Sequence, residues 1–219
     1  MGVSLTKGQV VNLTKATDKL SNVVVGLGWQ MAKPKIIEQK QEEKKGFFKK
    51  LFGNVKETVR EELTESIDCD AVAYVIDDKG KNDMVYYGSK RHSSGCVTHM
   101  GDNLVGNSVS DADEYKDAEQ IKIKLDTMPN KYNKIVIGVN IYQAFTKHQD
   151  FGMIEKAFIR LTNEDTKEQL CQFNLSDDYA GKTGMLLGEL TRTNGDWTFK
   201  ALGDGYSVAN LDALRHFVK

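Results

Sequence analysis

Two acidic stretches contain the residues whose types and spacing point most directly to chemistry. In the first, Asp68 and Asp70 lie two residues apart and lead into the apolar run 71–76, which is predicted to be a buried strand. Side chains two residues apart on an extended segment project from the same face. Two carboxylates held side by side repel each other unless a cation or a basic group lies between them.

The second stretch adds further oxygen ligands. These are Asp102, Asn103, Asp111, Asp113, Asp117 and Glu119. Hard oxygen ligands that converge from separate segments suit calcium, which takes about six to eight of them. Two interpretations are open from these residues: a calcium site between the two stretches, or a set of solvated turn residues, because Asp, Asn and Gly are common in turns.

An EF-hand loop does not account for the second stretch. The segment that begins at Asp111 starts like such a loop, but its sixth position is Lys116 rather than Gly. Its twelfth position is Lys122 rather than the Glu that ligates calcium. Any ion bound there is therefore predicted to lie among the loops of a β-structure and not between two helices.

Signatures of common enzyme sites are missing from the sequence, which contains no P-loop, no Gly-x-Ser-x-Gly turn and no dinucleotide-binding fingerprint. His92, Cys96 and His99 have a spacing that could hold zinc, but a fourth ligand is not evident nearby. Cross-strand ion pairs, rather than an acid–base pair, are predicted for a further set of charged residues. These are Glu155, Glu189, Arg160 and Arg192.

The elements that must position these residues are mostly strands. Segments rich in β-branched and aromatic residues alternate with polar turns. They are 23–25, 71–76, 84–87, 121–125, 135–139, 158–161, 170–175, 185–190 and 197–202. This pattern predicts a mainly β protein, an antiparallel β-sandwich. Asn194-Gly195 predicts a two-residue hairpin, and 208–217 predicts a short C-terminal helix capped by Ser207.

Residues 33–65 break this pattern, because their apolar residues recur at helical spacing. The stretch 44–56 contains five lysines and no acid. We predict an amphipathic helical insertion here, which interrupts a single domain spanning 1–219. It either packs on the sandwich or on a copy of itself, or it makes peripheral contact with a membrane through 44–56.

Composition and charge narrow the function classes. The chain has 219 residues, 40% hydrophobic and 28% charged, with a net charge of −1. Such a balance is ordinary for a globular protein and argues against nucleic acid as a partner. No apolar run approaches the roughly 20 residues of a membrane span. The three cysteines are widely spaced, which favours reduced thiols in the cytoplasm, and Cys69 is predicted to face the core.

Several motifs run in order along nearly the whole chain. They are the N-terminal 3–15, Val-Gly-Leu-Gly-Trp at 25–29, Asp-Cys-Asp-Ala at 68–71, Thr-His-Met-Gly-Asp-Asn-Leu at 98–104, Phe-Gly at 151–152, Ala-Phe-Ile-Arg-Leu-Thr-Asn at 157–163, Gly-Glu-Leu at 188–190, Asn-Gly-Asp-Trp-Thr-Phe-Lys-Ala at 194–201 and Gly-Asp-Gly-Tyr at 203–206. Together they resemble the TerD family of bacterial tellurite-resistance and stress proteins. The resemblance implies a calcium-binding β-sandwich with ions among acidic loops and no known enzymatic reaction.

The chain departs from the family pattern at four places. Gln30 and Ser66 stand where the family usually has Asp, which removes two carboxylates. The loop after Gly-Asp-Asn is longer and less rich in glycine, and residues 33–65 look inserted. Because ligand charge helps to set calcium affinity, one of the family's ion sites is expected to be weakened or lost.

Two functions remain open from the sequence. The first is a non-catalytic, calcium-binding stress and tellurium-resistance protein, a metal-dependent scaffold that acts in the cytoplasm or at the inner face of the membrane. Its partners would be calcium ions and other TerD-type or membrane-associated stress proteins. The second is a hydrolase or transferase that uses the same acidic cluster with a bound metal ion as Lewis acid. No His, Lys or Cys is evidently poised beside the cluster, which favours the first.

Overall fold

The computed structural model describes residues 2–16, 20–31, 66–101, 117–175 and 177–219. In these residues the chain forms twelve strands and three short α-helices. The strands are β1 Val3–Leu5, β2 Val10–Asn12, β3 Asn22–Met31, β4 Cys69–Asp77, β5 Asn82–Val85, β6 Val97–His99, β7 Glu119–Lys124, β8 Tyr132–Ile141, β9 Ile154–Asn163, β10 Gln169–Leu175, β11 Gly184–Thr193 and β12 Asp196–Tyr206. The helices are α1 Leu13–Ala16, α2 Ala144–Lys147 and α3 Leu211–Arg215, and Phe151–Met153 forms a 3₁₀ turn.

The strands form two six-stranded sheets. The first sheet has the order β1-β10-β9-β3-β7-β6, and the second has the order β2-β12-β11-β8-β4-β5. All neighbours are antiparallel except β1 and β10, which are parallel. The predicted mainly β sandwich is therefore confirmed, since two layers of antiparallel strands enclose one large apolar cluster.

The period-two pattern of the sequence explains which side chains enter the core. On β7, Ile121 and Ile123 are fully buried, whereas Lys122 and Lys124 on the opposite face are not. Strand β4 is buried on both faces. Its Cys69, Ala71 and Ala73 face the core between the sheets, and its alternate residues pack in a second apolar cluster under α3.

Helix α3 closes the outer face of the second sheet. Leu211 and Leu214 are buried, and the hydroxyl of the fully buried Tyr74 donates a hydrogen bond to the Leu211 carbonyl at 2.7 Å. The predicted helix exists, but the predicted cap at Ser207 is wrong. Asn210 caps it instead, because its side chain accepts a hydrogen bond from the Ala213 backbone N–H at 2.9 Å.

All nine predicted strands are present, and three others were not predicted. The missed strands β1, β2 and β6 have three residues each, too few to show a periodic pattern. The hairpin at Asn194-Gly195 is confirmed, since both residues have positive φ (53° and 91°) between the paired ends of β11 and β12. The predicted insertion 33–65 lies outside the described residues.

The predicted ion pairs differ from the observed ones. Arg160 contacts Asp117, and Glu189 contacts Lys134 at 3.4 Å. Arg192 donates to three backbone carbonyls instead of a carboxylate. Sequence spacing could not indicate these partners, because they come from neighbouring strands and loops that the pairing register brings together.

Candidate functional site

Asp68 and Asp70 lie where β4 begins, and both are buried (9% and 4% exposed). The Cys69 side chain between them faces the core, as predicted, and is 1% exposed. Burial raises the pKa of the Cys69 thiol well above its ordinary value, and the nearby charges of Asp68, Glu119 and Asp70 raise it further. Three of the predicted metal ligands are therefore close enough to this thiol to affect its pKa, although Asp68 and Asp70 alternate with Cys69 along the strand and project from its opposite face.

Glu119 reaches this cluster from the other sheet. It is the first residue of β7, and its side chain is fully buried between the sheets. Its Oε2 accepts a hydrogen bond from the Ala71 backbone N–H at 2.6 Å. Among the described residues, β4 has no neighbouring strand on the β5 side at that position, since its pairing with β5 starts only at Ala73. Glu119 thus accepts the hydrogen bond of a buried backbone N–H at the edge of β4 and links the two sheets.

His99 connects Glu119 to the beginning of the second acidic stretch. Its side chain is fully buried, and its Nε2 lies 3.5 Å from Glu119 Oε2. Its Nδ1 accepts a hydrogen bond from the Gly101 backbone N–H at 3.3 Å. Because Nδ1 accepts, a neutral ring carries its proton on Nε2, which faces the carboxylate. Gly101 has φ of 145° and directly precedes Asp102.

Asp117 lies apart from these residues, although it is only two positions from Glu119. Its Oδ1 accepts from Arg160 Nε at 2.8 Å and its Oδ2 from Gln120 Nε2 at 2.9 Å. The carboxylate rests on Gly26, where an added Cβ would clash with Oδ1. Gln120, Gly26 and Arg160 are neighbours across β7, β3 and β9. The bend at Ala118 separates the two acids onto opposite faces of the first sheet.

Four predicted ligands, Asp102, Asn103, Asp111 and Asp113, lie outside the described residues. Within the described ranges, no group of three or more His, Cys, Asp or Glu side chains is arranged to hold a metal ion by itself. The donor chemistry of Asp68, Asp70 and Glu119 fits calcium, since all three offer carboxylate oxygens. The calcium site as a whole stays a prediction.

Asn140 is an oxygen ligand that the sequence analysis did not identify. It lies directly opposite Asp70 on β8 and is 3% exposed. Its Nδ2 donates to the Ile141 carbonyl at 3.0 Å, and its Oδ1 has no hydrogen-bond partner among the described residues. A single amide within the apolar run 135–141 is the signal that could have identified it.

The residues with zinc-like spacing do not converge. His92 Nδ1 lies 2.8 Å from Ser94 Oγ, and Cys96 Sγ lies 3.5 Å from the Thr127 carbonyl. Burial lowers the pKa of His92 below its ordinary value, against the opposing effect of the Asp83 carboxylate. These contacts hold His92 and Cys96 within the turn region between β5 and β6 and do not bring them to a shared metal.

The comparison with known protein families identifies the fold. The TerD domain profile matches residues 1–217. The chain belongs to the TerD family. Its relatives include stress response protein SCP2 of Bacillus subtilis, at 36% identity over 98% of both chains. Tellurium resistance protein TerD of Serratia marcescens is 36% identical, covering 94% of this chain and 92% of the relative.

Solved structures share the TerD fold at lower identity. A homologue of telluride resistance protein TerD from Streptomyces coelicolor superposes with a TM-score of 0.58 and 16% identity. This match covers 88% of the present chain and 94% of the other. The family and its fold, both implied by the motifs, are therefore shown, and its named relatives are tellurium-resistance and stress-response proteins. Within the described residues, no helix is both long and apolar enough to cross a membrane.

Proposed function

We propose that this TerD-family chain is a non-catalytic stress protein. Its acidic residues bind calcium, and the calcium-bound protein acts as a scaffold. The observation that supports the proposal is that two buried carboxylates at the start of β4, Asp68 and Asp70, and the buried Glu119 of the other sheet all lie near enough to the Cys69 thiol to raise its pKa. Mutual repulsion between buried carboxylates is strong because the local dielectric constant is low. A divalent cation would relieve this repulsion and stabilise the junction of the sheets.

The proposed ligands in the described part of the chain are Asp68, Asp70 and Glu119. The remaining ligands would come from the predicted stretch that begins at Asp102, directly after Gly101. Bound calcium would supply positive charge and a flexible coordination shell that tolerates irregular geometry. The contact from His99 to Glu119, and from Gly101 to His99, would then join the metal-binding loop to the core.

The burial of His99 agrees better with a scaffold role than with hydrolase or transferase activity. His99 is the only described imidazole beside Glu119, and its side chain has no exposure to solvent. A general base must reach a substrate or its attacking water, which this buried ring cannot do. We therefore assign His99 to positioning the loop.

Direct binding of a tellurium oxyanion receives no support from the described clefts. The larger cleft contains Asp70 and Asp212, and a smaller one contains Glu155, Asp177 and Asp178. No Lys, Arg or His is among the described residues that line either cleft. Both clefts therefore favour cations, which agrees with a metal-dependent role.

Calorimetric titration of the metal-stripped protein tests the proposal. We expect saturable calcium binding and much weaker magnesium binding, because magnesium requires a near-octahedral shell and dehydrates reluctantly. Asp165→Asn, an exposed substitution in the turn after β9, serves as the control and should leave the titration unchanged. Equal affinity for the two ions, or no calcium heat at all, would contradict the proposal.

Contact with a membrane or with other stress proteins is proposed for the predicted insertion 33–65, which is outside the described residues. If 44–56 docks on anionic lipid, each lysine adds about 1 kcal/mol near the surface. Vesicle co-sedimentation should then increase with anionic lipid content, and Phe48→Ser with Phe52→Ser should abolish it. If the segment packs as a helix instead, the double variant should lower the melting temperature and the wild type should not sediment with vesicles.

A further inference from the structure

A cleft of about 490 Å³ lies on the outer face of the second sheet, beside α2 and the N-terminus of α3. This volume is within the range of small-molecule sites. Its described lining combines buried oxygen acceptors with several aromatic rings, and it shares Asp70 with the proposed metal ligands.

The buried acceptors are Asp70 and Asn140. They face each other across β4 and β8, and both line the cleft. Asn140 is 3% exposed, and its Oδ1 has no hydrogen-bond partner in the described part of the chain. An orphaned buried carbonyl oxygen is costly, so a ligand that donates a hydrogen bond to it would stabilise the protein.

Four aromatic side chains are among the described lining residues of the cleft. Tyr86 and Tyr87 form an edge-to-face pair with centroids 5.2 Å apart. Tyr142 and Phe145 are 41% and 53% exposed. The Lys147 ammonium already lies 5.5 Å from the centroid of the Tyr142 ring, so this ring accepts a cation on its face.

The charged side chains among the described lining residues are all acidic. Asp70 lies in the buried part and Asp212 on α3 at the exposed edge, and no basic side chain is among the described lining residues. Arg215 is 3.4 Å from Asp212, but this is an exposed pair within one short helix, of the kind that contributes little. Both carboxylates of the described lining would repel an anionic ligand.

We infer that the cleft binds a primary alkylammonium group. Such a group has three N–H donors and no acceptor, which matches the Asp70 carboxylate and the Asn140 oxygen, and its positive charge suits the aromatic walls. A diamine would bind more tightly than a monoamine, because its second ammonium can reach Asp212. The same chemistry is offered by a free polyamine and by a lysine side chain of a partner protein.

Binding is tested with diaminopentane as the probe, by calorimetry on the metal-stripped protein. Calcium is left out because Asp70 also belongs to the proposed metal ligands, and a calcium ion bound there would repel the ammonium group. Pentanediol has the same chain without charge and should not bind. N-acetyl-lysine methylamide represents a lysine side chain of a partner protein. If it binds more tightly than diaminopentane, the ligand is a protein lysine; if it binds more weakly, the ligand is a free polyamine. Tetramethylammonium lacks N–H donors and should bind at least about tenfold more weakly than diaminopentane, since charge-assisted hydrogen bonds dominate.

Three variants assign the contacts. Asn140→Leu should weaken diaminopentane binding by about tenfold through loss of the acceptor, and Phe145→Ala by roughly twofold to fivefold through loss of a ring. Asp212→Asn should remove the advantage of the diamine over butylamine. The matched controls are Phe217→Ala, at an exposed ring outside the cleft, and Asp165→Asn; neither should change the affinity.

Because Phe145 and Asp212 are exposed, their variants are expected to fold even if Asn140→Leu does not. The inference is overturned if neither amine binds in the millimolar range, if pentanediol binds as tightly as diaminopentane, or if Phe145→Ala and Asp212→Asn both bind like the wild type. None of these results bears on calcium binding through Asp68 and Glu119, which do not line the cleft.

Discussion

Calcium should raise the melting temperature of the metal-stripped protein, and Asp68→Asn should remove most of that rise. At a calcium concentration 100 times the Kd, mass action stabilises a folded protein by about 2.7 kcal/mol. For a chain of this size, each kcal/mol shifts the melting temperature by about 2–4 °C, so a rise of about 5–11 °C follows. Differential scanning calorimetry with and without calcium measures it.

The comparison with and without calcium makes this prediction specific. Asp68 and Asp70 are both buried, and their charges and that of Glu119 act on the Cys69 thiol. Asp68→Asn removes a proposed calcium ligand, so it should lower the melting temperature of the calcium-loaded protein by more than that of the metal-free protein. Asp117→Asn should differ, because Asp117 is paired with Arg160 on the opposite face of the first sheet. Asp117→Asn should lower the melting temperature with and without calcium and leave the rise caused by calcium unchanged.

If Asp68→Asn lowered both melting temperatures equally, Asp68 would have a structural role without metal. Asp70→Asn provides a second comparison, since Asp70 contributes to both the proposed calcium site and the alkylammonium cleft. Loss of the calcium response in Asp68→Asn, with diaminopentane binding preserved, would separate the two sites.

The architecture was predictable because strands that face a core repeat every two residues. Strand β7 shows this clearly, with isoleucines inward and lysines outward. The three-residue strands β1, β2 and β6 carry no such pattern, and pairing with longer neighbours forms them. The cap of α3 was misassigned because both Ser207 and Asn210 are good capping residues. The backbone, not the residue type, decides between them.

The candidate site was less predictable than the fold. Composition identified the acids but could not tell Asp117 from Glu119, because a bend at Ala118 turns one outward and the other into the core. Asn140 and the link from His99 to Glu119 depend on strand register, which brings together residues far apart in sequence. A local pattern contains no information about such pairs.

Glu119 combines the proposed metal role with a structural one, and two substitutions separate them. Glu119→Leu removes the acceptor of the buried Ala71 N–H and should reduce the free energy of unfolding by about 1–3 kcal/mol, because that donor is left unsatisfied. Glu119→Gln keeps an amide oxygen that can accept the same hydrogen bond, so metal-free stability should stay close to that of the wild type. Urea unfolding in the presence of a chelator measures both.

The calcium response of the same variants completes the comparison. Glu119→Gln removes a negative charge and should lose most of the calcium-induced stabilisation, although its metal-free fold is retained. Glu155→Leu, the same change at an exposed position on β9, is the control for introducing leucine and should preserve both properties. A Glu119→Gln protein that responds fully to calcium would exclude Glu119 as a ligand and leave it as the residue that joins the two sheets. A Glu119→Gln protein as unstable as Glu119→Leu would instead show that the carboxylate charge itself stabilises the junction, through the Nε2–H of His99.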